Sequence, residues 1–198
     1  MILVGVFIIN VIGGEFELIK KHALVIGGTG MLKDVSLWLA EQGYITSVVG
    51  RSENKHLDLK NQAENPEVIR SIMVDYNHHD ALEEAIKNAI EQDGPISLVV
   101  SWIPSYPALE LVDKIISQHS NTWKLYQVKG SRRYFQDDPL HLSSNCEHHK
   151  VYLGFVLEDN HSRWLTHNEI AKGVIRSIEN DSKESIVGQL HPYEKRPQ

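Results

Sequence analysis

From Lys21 onward the chain alternates short apolar runs with stretches whose apolar residues recur every three or four positions. His22-Ala-Leu-Val-Ile26 is a continuous apolar run, suited to a strand covered on both faces. Gly27-Gly-Thr-Gly30 follows at once. Met31, Leu32, Val35, Trp38 and Leu39 then fall on one helical stripe, which Gly43 stops. Ile45 to Val49 predicts a second strand, ending at Gly50-Arg51. Residues 52–67 are polar and broken by Pro66, so a loop with a short helix is expected. Ile69 to Val74 predicts a third strand and Ala81 to Ile90 an amphipathic helix closed by Asp93-Gly94-Pro95. Ile96 to Val100 is a fourth strand, Leu109 to Ile116 a further helix and Trp123 to Val128 a fifth strand. Residues 130–149 read as irregular and polar, and Val151 to Leu157 as a sixth strand. Thr166-His-Asn-Glu169 has the form of a capping box opening a helix through Ile170, Val174, Ile175 and Ile178. After Ser182 no periodicity is clear.

Strands alternating with helices imply parallel pairing, because each crossover returns the chain to the same end of the sheet. Right-handed crossovers then place helices on both faces. The expected fold is α/β: a doubly wound parallel sheet in three α/β/α layers, with Rossmann-type strand order 3-2-1-4-5-6. Residues 21–182 form its single domain and 183–198 a C-terminal tail. Residues 1–20 are a separate apolar extension. Met1 to Ile12 is too short to cross a bilayer, and no basic residue precedes the apolar run as a signal peptide requires. Two readings of it stay open. One is an added edge strand. The other is a segment outside the native protein, with Gly13-Gly14-Glu15 encoded by a purine-rich ribosome-binding sequence and translation starting near Leu18 or Ile19.

Composition narrows the function. With 20 Lys plus Arg against 26 Asp plus Glu, the formal net charge is −6, which argues against nucleic-acid binding. The single cysteine, Cys146, excludes an internal disulfide framework and a cysteine-rich zinc site. The expectation is a reduced, cytoplasmic protein with no membrane span. The 11 histidines include the pairs His78–His79 and His148–His149, neither with ligand spacing; they read as solvated loop histidines, and no metal site is expected.

The strongest chemical signal is the turn of Gly27, Gly28, Thr29, Gly30 and Met31 between the first strand and its helix. Glycine allows a tight turn and close approach of backbone to a pyrophosphate. The following helix offers free N–H groups and the positive end of its dipole. The fingerprint is incomplete, since Lys33 stands where a further glycine is usual; that lysine reads as exposed, with a phosphate contact as the other option. Arg51 lies at the end of the second strand, where an acidic residue would bind the ribose 2′-hydroxyl of NAD. An arginine there pairs with a 2′-phosphate, and Ser52 adds a hydroxyl, so NADP is favoured over NAD. Asp75 follows the third strand and borders the adenine place. Ser101 and Trp102 follow the fourth and line the crevice; Trp102 either flanks the cofactor or caps the sheet edge.

These elements resemble the short-chain dehydrogenase/reductase superfamily, in an atypical branch. The matching residues are Gly27-Gly-Thr-Gly30, Val49-Gly-Arg51-Ser52, Val74-Asp75 and Leu165-Thr-His-Asn-Glu-Ile-Ala171, within residues 21–180. The resemblance implies an NAD(P)-dependent oxidoreductase. It also implies a catalytic serine after the fifth strand, matched by Ser131, and a Tyr-x-x-x-Lys pair on the next helix. No such pair occurs in this chain; Ser144 and His148 stand at those places, and Ser101-Trp102-Ile103 replaces the family's Asn-Asn-Ala-Gly. Tyr134, near Ser131, is the substitute proton donor, with His148 as the other candidate. Three functions remain: an NADP-dependent oxidoreductase of a small carbonyl or alcohol, a non-catalytic NAD(P)-binding sensor, and a degenerate protein with neither role whose glycines only make a turn. The partner is a small-molecule substrate. The helix Leu109–Ile116 either joins the core or pairs two subunits in a homo-oligomer.

Overall fold

A computed structural model of the protein describes residues 9–12, 15–18, 21–159 and 161–198. At the N-terminus Ile9–Ile12 (β1) and Glu15–Leu18 (β2) pair antiparallel in a small sheet of their own, with Ile12 opposite Glu15. Of the two open readings of this segment, an edge strand added to the main sheet is not what β1 and β2 form. Residues 1–8 of the apolar segment lie outside the described residues.

The main sheet has seven strands, all parallel. They are Lys21–Ile26 (β3), Tyr44–Gly50 (β4), Ile69–Met73 (β5), Ile96–Ser101 (β6), Trp123–Gly130 (β7), Cys146–Leu153 (β8) and Glu184–Val187 (β11). The order across the sheet is β5-β4-β3-β6-β7-β8-β11, the expected 3-2-1-4-5-6 with one more strand at the edge. Between β8 and β11, Phe155–Glu158 (β9) and His161–Trp164 (β10) form a separate antiparallel pair. The sixth strand therefore stops short of the expected Leu157. The chain leaves the sheet at Gly154, and the Gln189 backbone lies so close there that an added Cβ would meet its oxygen at 2.1 Å.

Helices cover both faces. Lys33–Glu41 (α1), Glu53–Gln62 (α2) and His167–Glu179 (α6) lie on one face; His79–Asp93 (α3) and Tyr106–His119 (α4) lie on the other. The α3/α4 core gathers Leu24, Ile26, Val99 and Leu125 from the sheet against Leu82, Ile86, Leu109, Val112 and Ile116. Leu109, Val112, Ile115 and Ile116 are thus inside the molecule, and that helix joins the core. Opposite, Ala23, Val25, Val100 and Val128 meet Val35 and Leu39 of α1 and Val174 of α6. The predicted capping box of α6 is present: the Thr166 hydroxyl accepts from the Glu169 N–H, and the Glu169 carboxylate accepts from the Thr166 N–H at 2.8 Å.

Two regions differ from their sequence reading. Strand β8 begins at Cys146, so residues 146–149 are strand and not irregular chain. His148 and His149 are accordingly not loop histidines: His149 is wholly buried, stacked on Tyr126 at 4.4 Å, with its Nδ1 donating to the Ser182 carbonyl at 2.9 Å. His22, on β3, is buried too. Its Nδ1 donates to the Gly94 carbonyl at 2.7 Å and its Nε2 accepts from Ser47 at 2.8 Å, tying β3 and β4 to the end of α3. Residues 183–198 are more than a tail. They supply β11, which α6 approaches so closely that a Cβ at Gly173 would lie 2.4 Å from Val187.

The crossover from β7 to β8 contains one four-residue helix, Arg132–Phe135 (α5), and otherwise irregular chain. Leu140 and Leu142 of this segment pack on the α3/α4 core. No long helix lies between these strands.

Candidate functional site

The carboxyl ends of β3, β4, β6, β7 and β8 meet along one edge, where a doubly wound sheet reverses its strand order. The glycine turn sits at its centre. Gly27 has φ +88° and its N–H donates to the Val49 carbonyl at 3.2 Å. Positive φ at this point needs glycine. Gly30 N–H donates to the Gly27 carbonyl at 3.2 Å and Lys33 N–H to the Gly30 carbonyl at 3.0 Å; these bonds do not use the Thr29 and Met31 amides. Gly28 provides the close helix–strand approach that the missing third glycine would give. A Cβ there would stand 2.4 Å from Ser36 Oγ and 2.8 Å from Val25, and Ser36 Oγ donates back to the Gly28 carbonyl at 3.1 Å. Gly30 faces open ground: an added Cβ would meet only the Gly27 carbonyl oxygen, at 3.8 Å. Such a backbone cradle at the start of a helix fits a phosphate. Lys33 instead stands 3.7 Å from Asp58.

Thr29 leans toward β4, where a Cβ at Gly50 would meet its Oγ1 at 2.7 Å. Beyond Gly50, the Arg51 guanidinium is 3.4 Å from Asp75, with 77% of its side chain exposed. Asp75 accepts from the Asn77 backbone N–H at 3.0 Å and from its side chain at 2.9 Å; these bonds and Arg51 hold its carboxyl below the usual range. Ser52 caps α2, its hydroxyl accepting from the Lys55 N–H. Beneath this corner lies His56, which the sequence reading passed over. Its Nε2 donates to the Gly50 carbonyl at 3.2 Å, its Nδ1 is buried with no partner among the described residues, and burial pushes its pKa down.

Ser101 does not reach the crevice. It is wholly buried, and its hydroxyl has no partner among the described residues. Trp102 does reach it: its backbone N–H donates to the Ile26 carbonyl at 3.0 Å, and its ring runs past Gly27 toward Gly130. From Met31 and Trp102 an open cavity of about 460 Å³ extends past Ser131 and Gly154 to Trp164, Tyr193 and Arg196. Ser131 is thus placed in the crevice wall. Tyr134 is not among the lining residues; it packs edge-on against Tyr152 at 5.1 Å and faces His191 at 6.4 Å. His148 is further removed. It pairs with Leu125 inside the sheet, its Nε2 bonds to Gln127 Oε1 at 2.9 Å, and burial followed by the charge of Lys129 pushes it down to about 4.

Sequence reasoning also missed a buried ion pair beside the crevice. Lys129, the penultimate residue of β7, has 2% of its side chain exposed and its Nζ donates to Asp137 Oδ2 at 2.5 Å. Tyr106 donates to the same carboxylate, as does Arg133 at 3.0 Å. Burial would raise Asp137, but the hydrogen bonds from Lys129, Tyr106 and Arg133 hold it down to about 2. Burial also pulls Lys129 below the ordinary lysine range, which Asp137 only partly offsets. Tyr106 and Tyr152 rings flank the ammonium at 5.9 and 5.7 Å. These groups lie on the side of the sheet where the short crossover runs.

This is the Rossmann fold in the form found in short-chain dehydrogenases. Solved structures that share it include a short-chain dehydrogenase/reductase from Brucella melitensis, described as a glucose/ribitol dehydrogenase, at 12% identity and TM-score 0.66, covering 84% of this chain and 94% of that one. The apo glucose dehydrogenase of Caenorhabditis elegans matches at 11% identity and TM-score 0.65, over 85% of this chain and 96% of that one. An NAD+-bound xylitol dehydrogenase matches at 12% identity and TM-score 0.63, over 84% and 96%. No protein-family model matches the chain, and no curated sequence does. At such identities the likeness is one of fold.

Proposed function

We propose that the protein binds NADP across the carboxyl edge of its sheet and works as an oxidoreductase on a small carbonyl compound or its alcohol. The observation that carries this reading is the open backbone cradle at Gly27–Gly30, in front of α1 and one strand away from an exposed arginine. Both halves of a dinucleotide have a place beside it. The pyrophosphate would rest on the turn and on the amides of Thr29 and Met31. Arg51 and Ser52, at the start of α2, would take a 2′-phosphate. The nicotinamide end would enter the cavity between Met31, Trp102 and Gly154. Bound there, the cofactor supplies hydride to a carbonyl carbon or accepts one from an alcohol. Ser131 would hold the carbonyl oxygen by a hydrogen bond; Tyr134, the proton donor expected from the sequence, does not line this cavity.

Titration with NADPH and NADH, followed by tryptophan fluorescence, tests the reading. NADPH should bind, and Arg51→Ala should weaken it at least tenfold while leaving NADH nearly unchanged. No binding of either up to millimolar concentration refutes it; equal loss for both removes the 2′-phosphate argument.

A second reading has an observation of its own. The helix that carries Tyr-x-x-x-Lys in the family is absent as an element, since α5 has only four residues. A dinucleotide-binding sensor without turnover would need no such helix. Tight NADPH binding with no carbonyl reduction in a broad screen would favour it.

A further inference from the structure

The far end of the crevice has a chemistry the dinucleotide does not account for. Three aromatic rings border the cavity there: Trp102, Trp164 and Tyr193, the two tryptophans 36% and 49% exposed. Burying such rings against a ligand is favourable, and leaving them in water is not. Three basic residues, Arg132, His167 and Arg196, border it as well. Among the described residues no Asp or Glu lines the cavity, in a chain whose net charge is −6.

The arginines are also unlike their neighbours. Arg51, Arg70, Arg133 and Arg163 each hold a carboxylate, whereas Arg132, Arg176 and Arg196 hold none among the described residues, and of these three Arg132 and Arg196 line the cavity. Arg196 is nonetheless positioned. Its guanidinium lies 4.4 Å over the Tyr193 ring and donates to the Tyr193 carbonyl at 3.2 Å. A guanidinium stacked on an aromatic face keeps its outer N–H fork for a planar anion.

From these features we infer that the crevice selects a flat, ring-bearing carbonyl compound that carries a carboxylate. The ring lies among Trp102, Trp164 and Tyr193, the carboxylate meets Arg132 and Arg196, and the carbonyl faces Ser131. This names the substrate class of the site under the proposed function. In that reaction the carbonyl carbon gains hydride from NADPH and the oxygen gains a proton, giving the alcohol and NADP+.

Calorimetric titration of the full chain with 4-carboxybenzaldehyde and with its neutral methyl ester, methyl 4-formylbenzoate, provides the test. The acid should bind at least tenfold more tightly than the ester. Arg132→Gln combined with Arg196→Gln should abolish that preference without changing the melting temperature or NADPH binding. Equal binding of acid and ester, or a preference that survives the double substitution, overturns the inference. So does displacement of the acid by NADPH, which would make the arginines a phosphate site and leave the cofactor reading intact. A preference for the acid in a protein that binds no dinucleotide would sustain the aromatic-acid site and defeat the cofactor reading. With both ligands bound, NADPH oxidation should be faster with the acid than with the ester.

Discussion

Asp137 is the residue whose removal should be most costly for its size. It accepts from Lys129, Tyr106 and Arg133 at once, and the Lys129 side chain is 2% exposed. Asp137→Ala leaves that ammonium buried without its counter-charge. Removing one partner of a buried pair costs about 3–5 kcal/mol. Asp137 itself is 25% exposed, so water can reach part of the gap and the lower figure, about 3 kcal/mol, is expected. Urea unfolding followed by circular dichroism should show a lower midpoint with unchanged slope. The effect should depend on pH with a definite sign. Without Asp137, burial holds Lys129 still further below its ordinary value of about 10.4. Between its folded value and that figure the unfolded chain binds more protons, so the variant gains stability as pH rises through this window. The parent shows the same sign at the acid end. Asp137, held down to about 2 against an ordinary 3.8, stabilises fully above about pH 4 and loses that contribution, about 2 kcal/mol, as pH falls through about 2. Pairing Asp137→Leu with Lys129→Met should return stability to within about 1 kcal/mol of the parent. A single variant Asp137→Ala within about 1 kcal/mol of the parent, at neutral pH, would refute the reasoning.

Gly28→Ala should destabilise by about 1–3 kcal/mol, because its Cβ meets Ser36, Val25 and Val48 at under 3 Å, and should weaken NADPH binding as α1 is pushed off the strand. Thermal melts and fluorescence titration check both parts. Thr166→Ala removes the capping hydroxyl of α6 and should cost about 1 kcal/mol by urea unfolding, with no effect on ligand binding. The His148 ring, followed by NMR, should titrate near 4; since its folded value is depressed, it costs stability progressively as pH falls from about 6.5 toward 4.

Most of the sheet was legible because its signals are local. The apolar runs of β3, β4 and β6 are bounded by glycine or polar residues, and Thr166-x-x-Glu169 announces α6 in four letters. What escaped depends on distant partners. Cys-Glu-His-His-Lys looks unsuited to a strand until Gln127 and Ser182 satisfy the two imidazoles. Residues 184–187 alternate only weakly, and become a strand because β8 and Gly173 receive them. The glycine turn and Arg51 were readable from their places after strands. Trp164, Tyr193 and Arg196 were not, since the β9–β10 pair carries Trp164 and the C-terminal segment folding back over Gly154 carries Tyr193 and Arg196 to the cavity wall that Ser131 shares. Ser101 showed the converse limit: the sequence placed it after β6, but not which way its hydroxyl faces.

The brief link between β7 and β8 bears on the order in which the molecule assembles. Those strands pair in register from Trp123–Cys146 to Gly130–Leu153, whereas the central β3 must find β6 across far more chain, Leu24 opposite Val99. Ring-closure entropy favours the nearer partners by about 1 kcal/mol, as it grows with the logarithm of the separation. β3 and β4 close an equally short loop, Lys21 opposite Tyr44, so each half of the sheet assembles from near partners and the β3–β6 pairing, which sets the glycine turn beside Trp102, bears the longer closure.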